Sequence, residues 1–359
     1  MSVVESQVDA PFTLTDPTEA PRFGDGMLSR WCRARLADPR DEVFIRLTIR
    51  SIAIMLAAMT GLGLLIHRSP QHWWIGALAY LAVWGWSAPP VILMLHCTMH
   101  RRFFASAGAM SSMHPYAMSA LFGIPTGYKE HHINMHHAED NAPGDLSSTA
   151  RFQRDSFFDF LRYFGRFFFF IHIELPLYFV RKNRRHLAVR TVGIEIAQNA
   201  LVLGVVAINW RFGVPAFLLP YVICRFMMMA GNWGQHAFLN TDRKNDGMSN
   251  AITCINSGYN RRAFNDGYHI GHHLMAARHW TELPRDFQNN WQRYGREGAI
   301  VFEGLDFFMV SFLLWTKQYS ILARRYVRLN GEMTNDEVIA LLHKRVAPIR
   351  DLSESPAPA

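Results

Sequence analysis

The sequence has few cysteines and few charged residues for its length of 359 residues. Its four cysteines are scattered without paired spacing, so we interpret them as free thiols in a reducing compartment rather than as disulfides. The first 19 residues contain four acidic residues and no apolar run, which is not the pattern of a secretory signal peptide. Charged residues make up only 18% of the chain, and half of the residues are apolar.

Several catalytic and binding motifs are also missing. The sequence shows no nucleophile–histidine–acid arrangement, no phosphate-binding loop and no dinucleotide fingerprint. The formal net charge of +8 could indicate nucleic acid, but no recognition motif accompanies it. We therefore attribute the basic excess to an anionic membrane surface or an acidic redox partner.

Four windows of the sequence are almost free of charge, and each is long enough to cross a bilayer as a helix. They predict an all-α integral membrane protein with four spans, at about residues 47–66, 73–95, 191–210 and 212–235. The two short turns carry one basic residue each, whereas the segments on the other side carry many. The positive-inside rule then predicts that both termini and the long hydrophilic segments are cytosolic, as a helical cap over residues 96–190 and 236–330.

Two further apolar stretches, residues 103–125 and 157–180, are interrupted by a His-Pro pair or by several charges. We interpret them as interfacial or re-entrant, since a span would have to bury those groups in lipid. Residues 299–323 have near-helical apolar spacing and predict an amphipathic helix that packs the cap onto the membrane. We expect a disordered tail at 1–26, one domain at 27–330 and a second tail at 331–359.

The 17 histidines include three clusters. They are His96-Cys-Thr-Met-His100, His131-His-Ile-Asn-Met-His136-His137 and His269-Ile-Gly-His272-His273. Read as helices, all three place two imidazoles on one face, one turn apart, and the later two add a neighbour that can splay toward a second metal. Eight nitrogens are too many for one ion and suit two ions with four or five ligands each. Imidazole binds Zn, Cu, Fe and Ni, so ligand type alone leaves the metal open.

These three histidine segments are called the first, second and third box below. With them the chain resembles the membrane-bound fatty acid desaturase and hydroxylase superfamily, over about residues 45–320. Asn232-Trp-Gly-Gln-His236 also resembles the element that supplies a ninth histidine and an asparagine that reaches the metal through water. The resemblance implies two iron ions (Fe2+/Fe3+), a cytosolic active site and a hydrophobic substrate tunnel. The implied ligands are His96, His100, His132, His136, His137, His236, His269, His272 and His273, with Asn232 as the water-mediated group.

Removal of hydrogen from an unactivated C–H bond requires a strong oxidant, which O2 activation at iron supplies. The sequence therefore predicts a fatty acyl desaturase, with a hydroxylase, ketolase or acetylenase of a lipid or carotenoid as the alternative. A metal or proton transporter is a third hypothesis, but it would need ligands near the bilayer midplane. We expect a lipid or acyl thioester substrate, O2, contact with membrane lipids and no nucleic acid.

Electrons are expected from a separate ferredoxin, rubredoxin or cytochrome b5 type protein, because the His-Pro-Gly-Gly mark of the family's fused heme module is missing. The bacterial inner membrane is the predicted location, with the endoplasmic reticulum as the alternative. Metal-bound histidines usually pass their second N–H to a carboxylate or carbonyl. Candidates near the boxes are Glu139, Asp140, Asp145 and Asp266, although carboxylates near basic loops more often form surface ion pairs or helix caps.

Overall fold

The computed structural model describes residues 10–106, 108–240 and 247–349. Helices dominate this part of the chain, and one short sheet joins them. The helices are α1 Met27–Arg33, α2 Glu42–Arg68, α3 Trp73–His100, α4 Ala109–Phe122, α5 Tyr128–His131, α6 His137–Glu139, α7 Phe157–Arg181, α8 Arg185–Ile208, α9 Trp210–Gly213, α10 Leu219–Gln235, α11 Gly247–Asn250, α12 Gly258–Arg262, α13 His269–Leu274, α14 Leu283–Arg296, α15 Phe307–Trp315, α16 Tyr319–Arg325 and α17 Asn335–Val346.

Short irregular helices join some of these elements. Two π-helical turns, His132–His136 and Val214–Leu218, continue α5 into α6 and α9 into α10. Two 3-10 turns, Pro39–Asp41 and Pro70–His72, precede α2 and α3. The strands are β1 Ile252–Ile255 and β2 Ile300–Glu303.

Five helical segments in the described residues are long and apolar enough to cross a membrane. They are Pro39–Arg68, Pro70–His100, Phe157–Arg181, Arg185–Ile208 and Trp210–Gln235. Three of the four predicted spans fall inside one of these segments each, and the fourth, 191–210, runs two residues past the end of Arg185–Ile208. The remaining segment, Phe157–Arg181, is the stretch that was predicted as interfacial. Length and composition alone therefore do not confirm a count of four crossings. The other doubtful stretch, 103–125, forms the 14-residue α4, which is too short to span.

The spans form hairpins that return the chain to one end of the bundle. The three residues Pro70–His72 reverse the chain between α2 and α3. At the next reversal, Asn209 caps α9 by accepting a hydrogen bond from the N–H of Phe212. As a result, His96 at the end of α3 and His236 after the end of α10 are both brought to the histidine-rich layer.

The prediction of one amphipathic helix over residues 299–323 is wrong. This segment contains strand β2 followed by α15 and α16, and β2 pairs in parallel with β1. Both strands are largely buried, with Ile252, Cys254 and Phe302 fully enclosed. A short run such as Ile300-Val-Phe-Glu303, with three apolar residues, is compatible with either helix or strand, and only its distant partner decides between them.

The described parts of the predicted tails also differ from the expectation. Residues 10–26 contain no helix or strand, but Asp16 is buried and accepts hydrogen bonds from the side chains of Asn260 and Tyr268. Near the other end, Asn335–Val346 forms α17, which Thr334 and Glu337 start with a capping box. Its apolar face packs into the core around β1 and β2. Residues 1–9 and 350–359 of the predicted tails lie outside the described residues.

Candidate metal centre

All nine predicted histidine ligands are brought together in the described chain, in two groups. The first group, cluster A, contains His96, His100, His132, His137 and His272. The second, cluster B, contains His136, His236, His269 and His273. Within each group the candidate nitrogen atoms all lie within 4.8 Å of one another. This division into five and four fits the expectation of two sites with four or five ligands each.

Cluster A takes its side chains from three distant parts of the chain. His96 and His100 lie one turn apart near the end of α3, as their spacing predicts. Their partner His272 comes from α13, and its Nε2 lies 2.9 Å from Nε2 of His96 and 3.1 Å from that of His137.

The second box differs from the α-helical reading. An α-helix would pair His132 with His136 and leave His137 about 140° away from His132 around the axis. In the structure His132–His136 is a π-helical turn, in which residues five apart are the neighbours. His132 and His137 therefore meet in cluster A, with Nε2 atoms 3.2 Å apart, and His136 points into cluster B.

The third box follows the helical prediction. His269 and His273 are four residues apart on α13 and meet in cluster B, with Nε2 atoms 3.0 Å apart. His272 lies on a different side of the same helix and enters cluster A. His236 completes cluster B, with its Nε2 3.3 Å from that of His269.

Hydrogen bonds at Nδ1 fix the orientation of three of these rings, and a carboxylate lies at ion-pair distance from Nδ1 of a fourth. Asp266, Asp145 and Asp140 lie 3.0, 2.7 and 2.8 Å from Nδ1 of His96, His136 and His273 respectively. The carbonyl oxygen of Asn250 lies 2.6 Å from Nδ1 of His236. Because carboxylates and carbonyls only accept hydrogen bonds, Nδ1 of the three hydrogen-bonded rings carries the proton and Nε2 presents a lone pair to the cluster.

This donor set fits metal ions. Nε2 atoms of neighbouring imidazoles lie only 2.9–3.3 Å apart in both clusters, and those of His96 and His236 present lone pairs. Two imidazole nitrogens bound to the same ion, each at about 2.1 Å, would lie about 3.0–3.4 Å apart. His100 Nε2 is buried without a hydrogen-bond partner, which a metal would also satisfy.

At His136 the effect of burial is outweighed by the carboxylate of Asp145, which raises the pKa of the imidazole, but at other positions in the clusters burial favours the neutral form. It lowers the pKa of His236 to about 3, with added repulsion from His273 and His136. The same cause, with the neighbouring imidazoles, holds the pKa of His272 well below its usual range. Burial raises the pKa of the Asp145 carboxyl, but the charge and hydrogen bond of His136 outweigh that effect and hold it below its ordinary value. Neutral imidazoles beside ionised carboxylates are the forms that bind a metal cation.

Asn232 lies on the last turns of α10, close to the clusters but outside both groups. Its amide nitrogen donates hydrogen bonds to the hydroxyl of Tyr163, at 2.6 Å, and to the carbonyl of Ser147, at 3.1 Å. Ser147 in turn contacts Asp145, the partner of His136. Asn232 is therefore joined to cluster B through a chain of hydrogen bonds.

Not every residue near the boxes contacts a histidine of the clusters. Glu139 accepts a hydrogen bond from Tyr178 and pairs with Lys182 instead, at 2.6 and 2.8 Å. His279 bonds to Asp41 and Thr281. His131, by contrast, is half-buried, stacks parallel to His136 with ring centres 6.5 Å apart, and lines the adjacent cavity.

Sequence reasoning missed the carbonyl of Asn250. A main-chain acceptor carries no residue signature, so no pattern could have identified it. The role of Asp145 had a signal, since it follows His136 by nine residues in a short polar loop. That Asp145 and not Glu139 contacts His136 depends on the conformation of the loop, which the sequence did not reveal.

A cavity of about 330 Å³ opens beside the clusters. Imidazoles from both clusters line one end, including His96, His132, His136 and His269. Much of the remaining wall is apolar and comes from α3, α7 and α10, such as Trp84, Ile171 and Met228. Such a space suits a chain-like apolar ligand held against the histidines.

The comparison with protein families gives one match. A model of the family described as Fatty acid desaturase matches residues 71–304, which include all nine clustered histidines. No curated protein matches this chain.

Proposed function

Because this chain belongs to the fatty acid desaturase family, we propose that it is an O2-dependent fatty acyl desaturase with a histidine-bound di-iron centre. The family and the apolar helices establish a membrane protein of the lipid-oxidising class. The reaction, the metal and the individual ligands are our proposal. The observation that carries it is the convergence of nine imidazoles into clusters A and B at the end of an apolar cavity.

Clusters A and B would each hold one iron through imidazole nitrogens. Iron supplies the activation of O2 that an unactivated C–H bond requires. Asp145 and Asp266 hold the protons on Nδ1 of their histidines and keep Nε2 directed into the clusters. Asp140 pairs with a third clustered histidine. The apolar wall of the cavity excludes water and orients a chain against His132 and His136.

The contacts of α7 support an orientation along the membrane face. Tyr163 and Tyr178 are about 22 Å apart along its axis. Tyr163 nevertheless donates a hydrogen bond to Ser147, and Tyr178 donates one to Glu139. Both acceptors lie in the short segment that follows the second box. A helix that crossed the bilayer would separate these contacts by most of the membrane thickness. We therefore infer four crossings, with clusters A and B on the cytosolic side and a separate protein as the electron donor.

The test is lipid analysis of a host that expresses the wild type, His136→Ala or His272→Ala, one variant for each cluster. A desaturase yields lipids lighter by two hydrogens, whereas a hydroxylase yields lipids heavier by one oxygen. We expect the two-hydrogen product from the wild type, none from either variant, and normal membrane insertion of all three. Full product from either variant would refute the ligand assignment.

Metal analysis of the purified wild type separates the remaining class of function. Iron at about two ions per chain, with substrate-dependent O2 consumption, is the expected result. Bound zinc without O2 consumption would favour a metal transporter.

A further inference from the structure

An ion pair lies against the apolar cavity inside the helix bundle. Arg225 on α10 donates to Glu195 on α8, with 3.3 Å between Nη2 and Oε2, and to Gln198, at 3.2 Å. Both charged residues are buried and line the cavity. A charge at this depth is costly unless it serves a function or is fully paired.

The pair is anchored on several sides. The backbone N–H of Gly127 donates to Oε1 of Glu195 at 2.8 Å, and His172 Nδ1 lies 3.0 Å from its Oε2. Nη1 of Arg225 donates to the carbonyl of Tyr221, and the guanidinium stacks over that ring at 3.4 Å. These contacts fix the position of the guanidinium but leave one of its three nitrogen atoms without any partner.

That atom is Nε of Arg225. The side chain is only 1% exposed, and its Nε has no hydrogen-bond partner. A buried donor without a partner is destabilising, and helix pairing alone does not explain it, since apolar residues would pack α8 against α10 as well. A ligand in the cavity that carries an oxygen atom would satisfy this donor.

We propose that Arg225 and Glu195 recognise a neutral oxygen atom on the substrate chain, such as a hydroxyl or a ketone or ester carbonyl. The positive charge of Arg225 is already balanced by Glu195, so a carboxylate would bring an unpaired negative charge into the bundle. This inference rests on the proposed function in one respect: the cavity is taken to be the substrate cavity.

The position of the pair restricts where this oxygen lies. Gly127, which binds Glu195, is five residues before His132, or about 8 Å along a helix axis. The polar group therefore lies close to the histidines, beside the stretch of chain that would react. A plain hydrocarbon chain would leave Arg225 Nε unsatisfied at this point, so the site discriminates against it.

The test is a binding competition on metal-free protein, which needs no turnover. A long-chain alkane, the primary alcohol of the same length and the matching fatty acid anion compete for the cavity, and native mass spectrometry measures their occupancy. We expect the wild type to prefer the alcohol over the alkane by about 10-fold or more, and to bind the anion no better than the alcohol. Equal binding of alcohol and alkane, or a preference for the anion, would overturn the proposal.

Two variants locate the preference. Glu195→Leu/Arg225→Leu removes both charges together and should abolish the preference for the alcohol. Arg225→Lys keeps a positive charge for Glu195 but lacks the Nε donor, so it should lose most of the preference even if the double variant fails to fold. The proposal fails if either folded variant keeps the wild-type preference.

The matched control is Arg166→Leu/Glu174→Leu, which removes a half-buried ion pair of the same type on α7, 3.0 Å apart and outside the cavity wall. It should keep the wild-type preference. The outcome is also independent of the oxidation assay. Alcohol preference without lipid oxidation would refute the proposed function alone, whereas oxidation without the preference would refute the role of Arg225 alone.

Discussion

Single carboxylates determine the direction in which the clustered imidazoles point. Asp145 is fully buried and accepts hydrogen bonds from Nδ1 of His136 and from the backbone and hydroxyl of Ser147. Burial of this charge is costly, and the hydrogen bonds that both carboxylate oxygens accept offset that cost. Its structural role is to keep a lone pair of His136 aimed at cluster B.

The first prediction concerns this carboxylate. Asp145→Asn keeps the shape but removes the charge, and we expect the metal affinity of the protein to fall about 10- to 100-fold. Metal content after dialysis against a competing chelator measures the change. Glu139→Gln is the matched control, since Glu139 adjoins the same box but contacts Tyr178 and Lys182 instead of a clustered histidine. Equal metal loss in both variants would contradict the assignment.

The second prediction separates two roles of Asn232. If this residue only bridges Tyr163 and Ser147, then Tyr163→Phe and Asn232→Ala should lower activity to a similar extent, since each breaks the 2.6 Å bond. We expect Asn232→Ala to cost about 10-fold more, because it also removes an amide oxygen that could bind a metal through water. Turnover in membranes with equal metal content gives the comparison. Equal losses would show a purely structural role.

The third prediction, at the scale of an element, concerns the N-terminal segment that leads to α1. Asp16 accepts hydrogen bonds from the N–H of Asn256, the amide of Asn260 and the hydroxyl of Tyr268, at 2.6, 3.0 and 2.7 Å. Tyr268 directly precedes His269, so this segment supports the third box. Asp16→Ala should lower the free energy of unfolding by about 3 kcal/mol, because three donors lose a buried acceptor.

Denaturant unfolding in detergent measures this effect. The control is Glu19→Ala, which removes an exposed carboxylate paired with Arg22 at 2.9 Å. An exposed pair contributes about 0–1 kcal/mol, so this variant should unfold close to the wild type. If Asp16→Ala were equally harmless, the N-terminal segment would not support the third box.

Elements governed by local spacing could be predicted from the sequence, and elements governed by distant contacts could not. The i, i+4 pairs His96/His100 and His269/His273 meet as an α-helix requires. The π turn at His132–His136 has no sequence mark that separates it from an α-helix, so the partner of His132 was misjudged. The pairing of β1 with β2 joins residues 48 positions apart, such as Ile252 and Ile300, which local periodicity does not reveal.

At the scale of the whole molecule, the charge distribution and the histidine pattern lead to the same arrangement. Hydropathy located four segments that lie within helices of sufficient length, except that one of them runs two residues past the end of its helix. The basic residues predicted that all boxes face one side, and the structure brings them together into clusters A and B. Glu195 and Arg225 are charged residues within two of the four segments, and only the packing shows that they pair and line the cavity.

The last prediction tests this arrangement through the course of α7. Single cysteines at Gln71, Arg151 and Arg185 mark the α2–α3 turn, the segment before α7 and the start of α8, all at exposed positions. The natural cysteines are buried or half-buried, so the wild-type chain serves as the background. If α7 follows the membrane face, an impermeant maleimide should label Arg151→Cys and Arg185→Cys from the cytosolic side and Gln71→Cys from the other. Labelling of Arg151→Cys and Arg185→Cys from opposite sides would show that α7 crosses, because its two ends would then be separated by the bilayer.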